Sequence, residues 1–266
     1  MKSKVISILV IFTVCLIALT GCSKNEEIAN ATYTSSTADE VKNEVVENEV
    51  VENKSQRVVD TIDYKAAAEK QLADPEKGDT VAIIKVKDFG EIKVKFFKDK
   101  APKAVENFLT HAKEGYYDGV IFHRVINEFM IQGGDPLGTG TGGESIYGTG
   151  FEEELDFELV PYRGALSMAS SGKGKKSLGS QFYIVQGNYS EDGESDLKDL
   201  NFPQGLIDEY KVHGGYPSSL YLNYTIFGQV YEGMDVVDKI AKVETNPEND
   251  KPIKDVVIEK IEVKEY

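Results

Sequence analysis

Few residues in this sequence have types and surroundings suited to chemistry. Arg124 lies in the run Phe122-His123-Arg124-Val125-Ile126, followed by the apolar pair Phe129-Met130 and by Gln132. A guanidinium is a rigid donor that stays charged; taken alone, Arg124 reads equally well as a surface ion-pair residue. His123 adjoins it, but strand alternation turns the two to opposite faces, so His123 is read as structural. His111 is expected on a helix surface and His213 in a loop. The acidic stretch Glu152-Glu153-Glu154, Asp156 and Glu158 could attract a cation, but a solvated loop is the better reading. Gly138-Thr139-Gly140-Thr141-Gly142-Gly143 fits G-x-G-x-x-G by letter, yet no helical pattern follows, so a dinucleotide site fails its context test. Lys173 to Lys176, among Gly and Ser, reads as a solvated loop with the wrong spacing for phosphate. Both cysteines, Cys15 and Cys22, lie near the N-terminus. The rest of the chain therefore has no internal disulfide and no Cys-ligated metal.

The elements that must hold these residues are mostly strands. Thr80–Lys87 and Glu91–Phe97 alternate and are joined at Asp88-Phe89-Gly90, the pattern of a β-hairpin. Ala101-Pro102 opens a helix whose stripe Ala104, Val105, Phe108, Leu109 and Ala112 ends at Gly115. Short β segments follow at 120–126, 129–132, 163–168, 181–186 and 225–230. A second helix is expected over 234–243 and a β-rich end over 253–263. Residues 61–76 read as a lead-in helix and turn. Strand dominance with two helices predicts a mainly β fold, a closed antiparallel barrel with the two helices covering its openings.

The 266-residue chain carries a net charge of −15, which argues against nonspecific nucleic-acid binding and against polybasic attachment to lipid. Its first residues read as an address. Lys2 and Lys4 precede the apolar run Val5–Leu19, and Leu19-Thr20-Gly21-Cys22 resembles a bacterial lipobox. That resemblance implies a signal peptide over 1–21, cleavage before Cys22, and lipidation of its sulfur, with acyl chains such as palmitate in the bilayer. The implied place is the extracytoplasmic face of the cell membrane. An uncleaved signal anchor would also put the remainder outside the cytoplasm. Residues 22–60 are polar and acidic, with the repeat Asn43-Glu44-Val45-Val46-Glu47-Asn48-Glu49-Val50-Val51-Glu52-Asn53. They read as a disordered tether.

Five blocks in the remaining domain, 77–266, resemble the cyclophilins and occur in that family's order. They are Phe122–Asp135, Gly140–Gly148, Gly164–Ala169, Gly179–Ile184 and Tyr224–Val230. The resemblance implies a closed eight-stranded antiparallel β-barrel capped by two α-helices and peptidyl-prolyl cis-trans isomerase activity. Uncatalysed X-Pro exchange takes roughly tens to hundreds of seconds. No bond breaks, so no metal or cofactor is expected. An apolar pocket for the proline ring and a donor that stabilises the twisted amide suffice.

By the same resemblance Arg124 is that donor, and Gln132 bonds the substrate backbone and helps orient Arg124. Phe129, Met130 and Tyr183 form the proline pocket, with Leu220 as a further wall. Ala169, Ser170 and Gln181 line the neighbouring groove, and Tyr224 closes the pocket. Three departures stand out: Ser170 stands for a usual Asn, Tyr183 for a usual Phe, and the chain has no Trp. Ser219 aligns with the Trp that many cyclophilins carry at the rim, which implies weak cyclosporin binding. An insertion near 187–217, containing a short helix from Phe202 and a turn at His213-Gly214-Gly215-Tyr216-Pro217, reads as a wall of the groove or as passive decoration. The expected substrates are proline-containing proteins or peptides, and nothing suggests an oligomer interface, so a monomer is expected. A proline-binding or chaperone module with little activity, and an adhesin-like surface protein, are the competing readings. Arg124, Phe129, Met130 and Gln132 together favour the enzyme.

Overall fold

The computed structural model describes residues 59–172, 176–188 and 191–266. The leader, Cys22, all but the last two residues of the tether, and Lys173–Lys175 lie outside them. Helix α1 (Tyr64–Leu72) leads into the hairpin β1 (Thr80–Val86) and β2 (Gly90–Phe96). The register pairs Ala82 with Val94 and Ile84 with Ile92, so one face of the hairpin carries the apolar set. Asp88 at φ 65° and Gly90 at φ 127° make the turn.

Helix α2 (Pro102–Lys113) follows, with Pro in its first turn. Its free N–H groups at Lys103 and Ala104 donate to the Glu154 carboxylate at 3.2 and 2.9 Å. Then come β3 (Arg124–Ile126), β4 (Met130–Gly133), β5 (Ala165–Ser170) and β6 (Leu178–Val185). Helices α3 (Glu191–Asp199), α4 (Gln204–His213) and α5 (Pro217–Leu220) occupy the insertion. Strand β7 (Ile226–Glu232), helix α6 (Met234–Ala241) and strand β8 (Ile258–Glu265) complete the order.

All eight strands join one antiparallel sheet in the order β3-β4-β6-β5-β7-β2-β1-β8. It is an open half-barrel, not the closed barrel expected. The two strands that would meet at the seam are shorter than their sequences suggest. The 120–126 segment pairs regularly only from Arg124, and the 253–263 segment only from Ile258. Between them runs the single bridge Ile121–Val257, with bonds from Phe122 N–H to Val256 O and Ile258 N–H to Val120 O. Gly119 at φ 80° and Pro252, which has no N–H, end the extended backbone on either side.

The main core lies inside the curve of the sheet, with α2 and α6 packed on it. Phe108 of α2 is its hub, with ring centroids 5.3 Å from Tyr117, 5.3 Å from Phe182, 5.4 Å from Phe227 and 5.7 Å from Phe96. His111 belongs here too. It is buried, not on a helix surface, and its Nε2 lies 2.9 Å from Glu144 O. A second core joins α1 to the insertion through Tyr64, Ala68, Tyr162, Leu197, Leu206, Ile207, Tyr210 and Tyr221. Buried Gln71 ties it to the sheet: its amide donates to Gln229 Oε1 of β7 at 3.2 Å and to Val160 O at 2.7 Å, and accepts from Val160 N–H at 2.9 Å. His213 ends α4 rather than sitting in a loop, and its Nε2 lies 3.2 Å from Glu209. The acidic stretch is not a free solvated loop either. Besides Glu154 at the start of α2, Glu153 accepts both Thr225 N–H and its hydroxyl, and Lys100 pairs with Asp156 and Glu158.

Candidate active site

Strand register explains why the candidate residues meet. Arg124 of β3 stands opposite Gln132 of β4, which stands opposite Tyr183 of β6, which faces Ser167 of β5. One row of the sheet therefore carries an arginine, an amide and a phenol. The neighbouring row, Val125, Ile131, Ile184 and Leu166, points into the main core, as a period of two requires. The next row puts Met130 opposite Val185 on the site face.

Around these the structure forms a cleft of about 90 Å³ lined by Arg124, Phe129, Met130, Gln132, Ala169, Ser170, Tyr183, Leu220 and Tyr224. That holds one small side chain and is far below the roughly 300 Å³ at which cofactor pockets begin. Met130, Tyr183 and Leu220 are buried, while Phe129 and Tyr224 stand half-buried at the mouth. The Tyr183 and Tyr224 rings meet edge to face at 5.7 Å. The Tyr183 hydroxyl is buried beside that of Ser167, and neither makes a well-formed hydrogen bond; burial holds the Tyr183 pKa well above the ordinary phenol value, against the pull of Ser167. Ser170 donates its hydroxyl to Ser177 at 2.7 Å.

Gln181 lies beside this cleft rather than in it. It lines an adjoining groove of about 420 Å³, walled by Gly140–Ser145, Gly148–Gly150 and Lys176–Gly179, which shares Ala169 and Ser170 with the cleft. Gln132 reaches it by donating to Gln181 Oε1 at 3.0 Å, and Gln181 donates in turn to Gly142 O at 2.7 Å. The Gln132 amide N–H thus goes to Gln181. Arg124 takes a different partner, Asp250, with Nε 3.4 Å from Oδ2. The hydrogen bond of Arg124 thus runs to Asp250 and not to Gln132, which stands opposite it in the sheet.

Several site-building residues escaped the sequence reading. Asp135 gathers the glycine-rich loop: its carboxylate accepts N–H bonds from Leu137, Thr139, Gly140 and Gly142. Burial pushes its pKa up, but these bonds outweigh burial and hold it below the usual carboxylate value. Gly142 is required there, since a Cβ would meet the Asp135 carboxylate. Buried His123 lies on the far side of this loop, against Gly140. Burial lowers its pKa, and neither ring nitrogen has a partner.

Gln186 fixes the turn before the pocket by accepting Glu128 N–H at 2.8 Å, while its own N–H donates to Phe129 O at 2.8 Å. Tyr216, from the insertion, sets its ring 4.5 Å from Phe129. Ser219 is exposed on α5 and does not line the cleft, so Tyr216 is the aromatic side chain that the insertion brings to Phe129. The signal for Tyr216 was the Gly214-Gly215 pair before it. At Gly215, φ is 124° and a Cβ would strike Pro161 O, so that only glycine passes.

Fold and site together define a half-barrel protein with a proline-sized apolar pocket on the outer face of its sheet and an arginine beside it. The comparisons agree. The model of the family described as cyclophilin type peptidyl-prolyl cis-trans isomerase/CLD matches residues 81–263, and the chain belongs to that family as a peptidyl-prolyl cis-trans isomerase. It is 51% identical over 177 residues to proteins of Staphylococcus aureus (strain USA300) and Staphylococcus epidermidis (strain ATCC 12228) named "Putative peptidyl-prolyl cis-trans isomerase". Those alignments cover 66% of this chain and 88% of each relative. The crystal structure of a Cryptosporidium parvum cyclophilin type peptidyl-prolyl cis-trans isomerase, obtained in the presence of the dipeptide Ala-Pro, is 34% identical with a TM-score of 0.56, covering 70% of this chain and 99% of that one. Helix α1 lies before the matched range.

Proposed function

We propose that the protein accelerates X-Pro isomerisation in exported or surface polypeptides, with Arg124 stabilising the twisted amide. The observation that carries this is the single cleft in which Arg124 stands beside Phe129, Met130, Tyr183 and Leu220. The planar amide resists rotation by about 18–20 kcal/mol. Twisting it isolates the lone pair on the proline nitrogen. A guanidinium N–H held beside an apolar pocket donates to that lone pair more strongly in the twisted state than in the planar one, which is differential binding of the transition state. The proline ring fills the cleft, and the preceding residues run toward the groove by Gln181. A neighbour crystallised in the presence of Ala-Pro supports a proline-containing ligand.

Export and a lipid anchor at Cys22 complete the proposal. They rest on Lys2, Lys4, the Val5–Leu19 run and Leu19-Thr20-Gly21-Cys22. Two experiments test it. The full chain in detergent is assayed on tetrapeptides varied before proline; no turnover on any of them by the folded protein contradicts the catalytic part. Cells expressing the chain are fed a clickable palmitate analogue. Label that persists in Cys22→Ser, or is absent from the wild type, contradicts the anchor.

A further inference from the structure

We infer that Asp250 is the positioning residue that aims Arg124 into the cleft. This deepens the proposed function and rests on its reading of Arg124. Gln132, the cross-strand neighbour, turns its amide N–H to Gln181. The hydrogen bond of Arg124 goes instead to Asp250 Oδ2, from Nε at 3.4 Å. Contact at Nε leaves the two Nη groups, the outer fork of the guanidinium, for a substrate; a bidentate pair would consume part of that fork.

The loop carrying Asp250 is built to place it. Asp250 adopts φ 59°, a left-handed conformation that non-glycine residues other than Asn and Asp seldom take. The turn is closed by Asp250 N–H to Asn246 O at 2.8 Å and Asn246 N–H to Lys251 O at 2.8 Å. The Asn246 and Asn249 side chains accept Glu248 and Lys251 N–H, and Thr245 and Pro252 form a bridge behind them. Asp250 O then accepts Val125 N–H at 2.9 Å, docking the loop on the edge of β3 one residue from Arg124. Backbone and carboxylate of the same residue thus fix the strand and the side chain it presents. Both side chains are about 40% exposed, at 41% and 38%. An ion pair this accessible adds little to stability, so its consequence falls on the orientation of the arginine.

A double-mutant cycle on the full chain in detergent tests this, with kcat and KM measured separately for Asp250→Gly, Asp250→Asn, Arg124→Ala and Arg124→Ala/Asp250→Gly. Glycine suits the positive φ and keeps the loop; asparagine also tolerates it and keeps an oxygen acceptor. The expected result is an about tenfold loss of kcat for Asp250→Gly with KM within about twofold, and partial recovery in Asp250→Asn. No further loss is expected when Asp250→Gly is added to Arg124→Ala. An equal loss in both backgrounds would mean a structural role and overturn the inference, as would no loss beside a crippled Arg124→Ala. Full activity of Arg124→Ala would instead overturn the reading of Arg124, and this inference with it.

Discussion

At the scale of single residues, Tyr183 shows what a departure from the usual family residue costs. Its ring fills the pocket floor as a phenylalanine would, but its hydroxyl is buried beside that of Ser167 with no well-formed hydrogen bond. An unmet buried donor costs on the order of 1–3 kcal/mol. Tyr183→Phe should therefore stabilise the protein by about 1 kcal/mol, seen as a higher urea midpoint at unchanged slope. A lower midpoint would show that the hydroxyl is satisfied. The cleft residues were legible through the resemblance of the ordered blocks Phe122–Asp135, Gly164–Ala169, Gly179–Ile184 and Tyr224–Val230 to the cyclophilins; apolar patterning alone does not separate Phe129, Met130 and Tyr183 from plain core. Asp250 and Asp135 were not legible. An acidic residue in a polar loop looks the same in sequence whether it faces solvent, an arginine or four backbone N–H groups.

At the scale of elements, the first hairpin, α2 and α6 could be read from periodicity. The seam could not, because whether 120–126 and 253–263 pair along their length depends on backbone turns outside both stretches. The insertion was visible as extra chain, but its role depends on tertiary contacts. Helices α3 and α4 pack with α1 in a second core, and Tyr221, next to the pocket residue Leu220, has its hydroxyl 3.4 Å from that of Tyr64. Tyr221 donates to Phe157 O at 2.7 Å. The insertion is thus a supported wall, and α1 helps hold it although the family match begins after it.

Gln71 is the tie between α1 and the sheet, and Gln71→Ala removes its bond to Gln229 of β7 and both bonds to Val160 in a buried place. A loss of about 2–3 kcal/mol in urea unfolding is expected; a loss under about 0.5 kcal/mol would mean that α1 is only laid on the surface. Tyr216→Ala removes the aromatic contact on Phe129. It should raise KM several-fold for proline peptides with kcat nearly unchanged, because a rim contact acts alike on ground and transition states. An unchanged KM would leave the insertion with no part in binding.

At the scale of the whole molecule, buried histidines set the acid side of stability. Burial lowers the pKa of both His111 and His123 below the ordinary value of 6.5. As pH falls through about 6.5 the unfolded chain takes up protons that the native state refuses, so stability falls, by at most about 1.4 kcal/mol per pH unit for each histidine. Glu153 acts with the opposite sign, since burial raises its pKa and the native state holds its proton longer. His123→Phe isolates the histidine part: its urea midpoint should fall less than the wild type's between pH 7 and pH 5.5. Parallel profiles would contradict it.

The central claim is that Arg124 stabilises the twisted amide. The most direct test is kcat/KM of the full chain and of Arg124→Ala in a protease-coupled assay on one good X-Pro peptide, with thermal melts to show that both are folded. Loss of about 100-fold or more in kcat/KM, with the melting temperature unchanged, is the predicted result. A folded Arg124→Ala that retains wild-type turnover would contradict the mechanism and leave the cleft as a proline-binding site.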